Sequence, residues 1–250
     1  MDINEMAAFL KLSYIRDHYD LLIDEAAHLD LSHSELLALL LQREVEKRKQ
    51  NGIARRLRQA KFPIKHYLED FEKDKYEPKI RNKFKELGGM EFIEKRENII
   101  LMGTSGCGKT HYATALGIKA CQTGKTVLFS SIPNLVLELK EAMSLNQVTL
   151  YKRKFEKYDL VILDELGYVS FDKEGCEILF NLLSNRNDKG SIIITTNLVF
   201  DRWVEIFQDA MLTGAIVDRL AHKAHIIDMS LDVSYRLEET MEWIKNTEKN

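Results

Sequence analysis

Gly103-Thr104-Ser105-Gly106-Cys107-Gly108-Lys109-Thr110 fits the phosphate-loop pattern G-x-x-x-x-G-K-S/T, and the rest of the chain is read outward from it. The apolar run Ile99-Ile100-Leu101-Met102 stands before it, and a helical pattern through Ala113, Leu116 and Ala120 follows. Strand, loop and helix form the context that such a loop requires. Glycines let the backbone curl until successive N–H groups face phosphate oxygens. The helix behind them adds the positive end of its dipole. Lys109 then reaches the β- and γ-phosphates of a nucleotide, and the Thr110 hydroxyl holds Mg²⁺. Cys107 reads as a small residue of the loop, because no base partner stands near it in the sequence.

Downstream, apolar segments alternate with helical ones. Strands are expected at 99–102, 126–130, 159–163, 191–196 and 224–228. Helical stretches are expected at 109–122, 133–144, 150–156 and 173–187, then in pieces over 201–221. This alternation implies an α/β domain with a parallel sheet covered on both faces. Leu160-Val161-Ile162-Leu163-Asp164-Glu165 is a buried strand ending in two acids, at the edge where ligands bind in such sheets. Asp164 would hold Mg²⁺ through water, and Glu165 would orient or deprotonate the attacking water. Ser191 to Asn197 is a similar strand ending in an amide; Asn197 fits either a turn or a place beside the γ-phosphate. Arg219 and Arg236 fit either solvated surface positions or the extra guanidinium that phosphoryl transfer uses.

Before the loop the pattern changes. Residues 1–60 read as helices, with Ser32 and Glu35 as a capping box, a break or bend at Gly52 and an end at Phe62-Pro63. The expected domains are a helical N-terminal one over 1–62, a connector over 63–98 with a helix from Pro78 to Leu87, and the nucleotide domain over 99–250. From Arg43 to Lys61, eight basic residues (Arg43, Lys47, Arg48, Lys49, Arg55, Arg56, Arg58 and Lys61) face only Glu44 and Glu46. That run carries a net +6 in a chain whose total is −3. It reads as a DNA-binding segment or as a solvated helix face. Cys107, Cys121 and Cys176 form no C-x-x-C pair, no apolar run approaches a membrane span, and the acidic opening Met1-Asp2-Ile3-Asn4-Glu5 has no signal-peptide pattern. A reducing cytoplasm is the expected location.

Taken together, Leu68-Glu69-Asp70-Phe71, Gly108-Lys109-Thr110-His111, Asp164-Glu165-Leu166-Gly167-Tyr168, Thr195-Thr196-Asn197-Leu198, Asp218-Arg219-Leu220-Ala221-His222 and Ser234-Tyr235-Arg236 resemble IstB-type transposition helper proteins. Those are AAA+ ATPases of insertion sequences, related to DnaC-type helicase loaders and DnaA-type initiators. The resemblance runs from about residue 30 to residue 240. Thr104-Ser105 and Val169-Ser170 depart from prolines frequent in the family, away from the proposed catalytic groups. The resemblance implies ATP and Mg²⁺ as ligands, with nucleotide contacts from Gly103 to His111. It implies a five-stranded sheet in the order 5-1-4-3-2. It makes Asn197 a first sensor, Arg219 an arginine finger toward a neighbouring subunit, and Arg236 a second sensor in cis. The implied partners are double-stranded DNA, a cognate transposase and further copies assembled with ATP. A replicative helicase loader is the alternative, since the same nucleotide site would serve it.

Overall fold

The computed structural model describes residues 1–168, 170–186 and 188–230. It separates into two compact units, Met1–Arg55 and the chain from Arg56 onward. The first holds α1 (Ile3–Phe9), α2 (Ser13–His28) and most of α3 (His33–Ala60). The expected box starts α3: the Ser32 N–H donates to Glu35 at 2.8 Å, and the Glu35 N–H donates to the Ser32 hydroxyl at 3.3 Å. Glu44, buried at mid-helix, accepts from the Tyr14 N–H at 2.8 Å and the Ile15 N–H at 3.3 Å. It thereby satisfies donors that the first turn of α2 leaves without helical partners. Gly52 does not break the helix, since α3 runs through it without interruption. A single glycine costs a helix about 1 kcal/mol, which a long helix absorbs.

The second unit is built on five parallel strands: β1 (Asn98–Met102), β2 (Val127–Ser131), β3 (Leu160–Leu166), β4 (Ser191–Thr196) and β5 (Ala224–Asp228). Their order is β2-β3-β4-β1-β5, which is the expected 5-1-4-3-2 read from the other edge. Side chains alternate between faces along each strand. Ile100, Val161, Leu163, Ile192 and Ile194 face a core closed by α7 (Ile132–Ser144), α8 (Val148–Glu156), α9 (Lys173–Arg186) and α11 (Ala210–Ala221). Ile99, Leu101, Ile162, Ile193 and Ile227 face the opposite core, under α6 (Lys109–Gln122), α4 (Pro78–Leu87) and α5 (Glu91–Glu94). A 3-10 turn at Phe200–Trp203 and the short α10 (Val204–Phe207) make up the pieces expected before α11.

Two boundaries differ from the sequence expectation. The compact division falls at Arg55/Arg56, inside α3, and not at residue 62. The reason is packing: Ala60 is fully buried in the second unit's core, with Leu57 and Phe62 against it. Residues 63–98 are also more than a connector. Phe71, Tyr76, Phe84, Leu87, Phe92 and Ile93 are buried in the same core. Apolar side chains spaced through a charged segment still remove their area from water, at roughly 25 cal/mol per Å². No helix among the described residues is long and apolar enough to cross a membrane.

Candidate functional site

The loop from Gly103 to Gly108 joins β1 to α6, so the first N–H groups of α6 open into it. Gly108 caps that helix at φ +90°, and a Cβ there would stand 2.9 Å from the Tyr76 hydroxyl oxygen. Only glycine accepts both conditions. The Lys109 side chain is buried and curls back over the loop. Its ammonium donates to the Gly103 carbonyl at 2.8 Å and the Thr104 carbonyl at 2.7 Å, with the Cys107 sulfur at 3.7 Å. Among the described residues no carboxylate pairs with it. A buried cation held only by neutral carbonyls is incompletely compensated, and an anion such as a polyphosphate completes it. Burial pushes the Cys107 thiol up, with Lys109 opposing, so Cys107 packs the loop as a neutral group.

Beside the loop, the Thr110 hydroxyl donates to Asp164 at 2.9 Å, and the Thr195 hydroxyl donates to the same carboxylate oxygen. Two neighbouring strands and a helix thus meet at one buried carboxylate: β3 supplies Asp164, β4 supplies Thr195, and the first turn of α6 supplies Thr110. A hydroxyl and a carboxylate are the hard oxygen donors that Mg²⁺ accepts when phosphate oxygens and water fill its remaining positions. Among the described residues no cluster of three His, Cys, Asp or Glu could hold a metal unaided. Thr110 and Asp164 therefore fit a metal that arrives with phosphate.

Past Asp164 the pairing of β3 with β4 slips between Leu163 and Leu166. Glu165 sits in that bulge at φ +68°, with its N–H on the Thr195 hydroxyl at 3.1 Å. The slip keeps Asp164 inward and turns Glu165 out to solvent, as bulges re-aim side chains elsewhere. Asp164 and Glu165 line a cleft of about 360 Å³ with Ser130, Ser131, Asn134 and Lys61. Asn197 is exposed just after β4, and its side-chain oxygen comes so close to Gly167 that a Cβ there would be 2.5 Å away. It lines a different cleft, with Tyr168, Ser170, Arg202 and Glu205.

Arg219 lies elsewhere. Its guanidinium donates to the Ser184 hydroxyl at 2.7 Å and stands 4.4 Å over the Phe180 ring, both on α9. The next residue, Leu220, accepts from the Asn98 amide at 3.1 Å. Asn98 begins β1, whereas the phosphate loop follows its end, so about 13 Å of strand separates the two levels. Arg236 falls outside the described residues.

Sequence reading placed His111 with the loop but missed the wall that it forms with His66, Phe71 and Tyr76. The Tyr76 hydroxyl donates to the Cys107 carbonyl. His111 stacks on His66 with ring centroids 4.0 Å apart and meets Phe71 at 5.3 Å. Among the described residues, its Nε2 is buried without a hydrogen-bond partner. Asp70, Phe71, Glu72, Tyr76, Gly108 and His111 surround a cavity of about 40 Å³ there. The available signal was the aromatic cluster Tyr67, Phe71 and Tyr76 inside an otherwise charged stretch.

The basic run is spread over several environments. Arg48 donates to Glu44 at 3.0 Å and to the Lys11 carbonyl at 2.6 Å, while Arg43 stands between Glu25 and Glu46 at 3.8 and 3.7 Å. Arg56 donates to the Cys121 carbonyl at 2.8 Å, and Lys61 pairs with Glu138 at 3.4 Å. Lys47, Lys49, Arg55 and Arg58 have no ion-pair partner among the described residues and are exposed.

The strand order and this loop define a nucleotide-binding protein of the AAA+ class. A family model for IstB-like ATP binding proteins matches residues 5–242, and the chain belongs to that family. It is 37% identical over 239 residues to a Pseudomonas aeruginosa protein named as the ATP-binding protein of insertion sequence IS21, covering 95% of this chain and 89% of that one. A Bacillus thuringiensis subsp. berliner relative, named for insertion sequence IS232, is 34% identical, with 92% of each chain covered. Among solved structures, AMPPCP-bound DnaA from Aquifex aeolicus aligns with a TM-score of 0.56 at 19% identity, over 74% of this chain and 56% of that one. DnaI aligns with a TM-score of 0.54 at 18% identity, over 68% of this chain and 90% of that one. At these identities the structural likeness speaks for the fold.

Proposed function

We propose that this chain is a Mg²⁺-dependent ATPase that assembles with ATP on double-stranded DNA and serves the transposase of its insertion sequence. The observation that carries hydrolysis is the buried Thr110–Asp164–Thr195 cluster, with Glu165 turned outward on the bulge beside it. Lys109 leaves the carbonyls of Gly103 and Thr104 for the β- and γ-phosphates of ATP. Thr110 would hold Mg²⁺ directly and Asp164 through water, and the ion would neutralise charge on the phosphate oxygens. Glu165 takes a proton from water as its oxygen bonds to the γ-phosphorus. The bond from that phosphorus to the bridging oxygen breaks, and ADP leaves. Asn197 positions the water, and Arg219 meets the developing charge on a neighbouring subunit. Arg236 is assigned the second-sensor role by resemblance alone.

DNA and transposase as partners rest on the insertion-sequence names of the relatives and on the +6 run from Arg43 to Lys61. Lys109→Ala should lose ATP binding. Glu165→Gln should bind ATP and hydrolyse it roughly a hundredfold more slowly, the scale of a general base. Single-turnover hydrolysis with labelled ATP measures both, and full hydrolysis by Glu165→Gln removes the base assignment.

A further inference from the structure

A cleft of about 450 Å³ opens in the second unit between the last turn of α3 and the connector from α8 to β3. Arg56, Arg58, Lys61, Lys154, Lys157 and Tyr158 line it, and no carboxylate does. Of the nearby acids, Glu138 pairs with Lys61 at 3.4 Å, and the others are bound to groups other than the remaining cations. Asp159 accepts the Thr126 N–H and hydroxyl, each at 2.7 Å, and Glu156 pairs with Lys189 at 2.9 Å. Arg58, Lys154 and Lys157 are exposed and have no ion-pair partner among the described residues. These three like charges repel one another where they converge, and an entering anion relieves that repulsion.

Both walls are pinned. The buried Arg186 donates to the Phe155 carbonyl at 2.7 Å and the Tyr158 carbonyl at 2.6 Å, holding the turn that carries Lys154 and Lys157. Arg56 fixes the opposite wall through the Cys121 carbonyl. A lysine at the end of α8 also suits the helix dipole, which accounts for Lys154 locally. The dipole gives no reason for Arg58 to face it across the gap.

We propose that this cleft is a phosphate-backbone site for duplex DNA on the ATPase body, with Arg58, Lys154 and Lys157 as contact groups. It rests on the DNA-binding reading above and extends it. The basic run before the loop ends at this cleft, and two lysines about a hundred residues further along the chain complete it. Its cationic donors suit the row of phosphodiester oxygens on a duplex, and Tyr158 is the single aromatic among its lining residues, too few for a stacked run of unpaired bases.

The test titrates salt against binding of a fluorescently labelled duplex by the full chain with ATP. Lys154→Gln/Lys157→Gln should lower affinity about tenfold or more and flatten the plot of log affinity on log salt by about 0.9 per lost contact. Lys154→Arg/Lys157→Arg should bind like wild type, which separates lost charge from lost fold. ATP hydrolysis without DNA should be unchanged in both. Neutralised variants with wild-type affinity and slope overturn the cleft while leaving DNA binding elsewhere on the chain intact. A wild type that binds no duplex at any salt overturns both readings. Competition by inorganic phosphate beyond that of chloride at equal ionic strength makes the cleft a small-anion site and overturns the proposal.

Discussion

His111 is the residue whose chemistry the loop pattern leaves open. Burial lowers its pKa first and His66 adds to the effect, while Asp70 and Glu72 oppose them. A group with a lowered folded pKa contributes stability that is fully present above its unfolded value, here the ordinary 6.5, and lost as pH falls through the folded one. Melting temperature should therefore drop between neutral and mildly acid pH, and His111→Phe should remove part of that drop. The check is thermal melting of both proteins across this range; identical pH profiles would place the sensitivity elsewhere. The Lys109 ammonium is held over the loop by two carbonyls, so phosphate can replace them without building a new pocket.

Among the elements, α9 depends on a side chain that a sequence motif would not single out. Arg186, fully buried at its end, ties the end of α8 to the start of β4 through the Phe155, Tyr158 and Ser191 carbonyls. Burial draws its guanidinium down to about 10, with Asp159 and Glu156 opposing, so it stays charged at neutral pH. Arg186→Leu would strand three carbonyls in the core and should cost about 3 kcal/mol or more. Urea unfolding measures this; an unchanged midpoint would mean that the three bonds add nothing net. The helical unit shows a similar economy, in which Glu44 and Arg48 serve the start of α2 although both lie in the charged run.

For the whole molecule, the distance between levels of the sheet decides how Arg219 can act. It sits near the start of β1, and the phosphate loop sits at the end. In the arginine-finger role proposed above, Arg219 would have to serve another copy. Arg219→Ala should lose hydrolysis while each chain still binds ATP. Mixing it with the inactive Lys109→Ala chain should restore part of the rate, because an intact loop then meets an intact Arg219. ATPase assays on mixtures shown to co-assemble test this, and no recovery in them removes the shared site. ATP should also favour assembly, since a ligand bridging two chains binds the assembly more tightly than either chain alone.

Local order along the chain was legible without coordinates. The loop, the five apolar strands and the Ser32–Glu35 box depend on neighbours close in sequence, and such neighbours leave spacing patterns. The pairing of Asp164 with Thr110 was foreshadowed because both belong to motifs with a shared ligand. Tertiary structure alone decided the rest. Thr195 joins Asp164 because β4 lies beside β3, and the bulge that turns Glu165 outward is a matter of register between those strands. Arg48 reads as a loose positive charge in sequence, yet it is bound to Glu44 and the Lys11 carbonyl. Lys154 and Lys157 belong to no sequence motif, and only the fold brings Arg58 to face them. Spacing records what a residue does within its own element, whereas charge pairing and cleft formation depend on which elements the sheet order sets side by side.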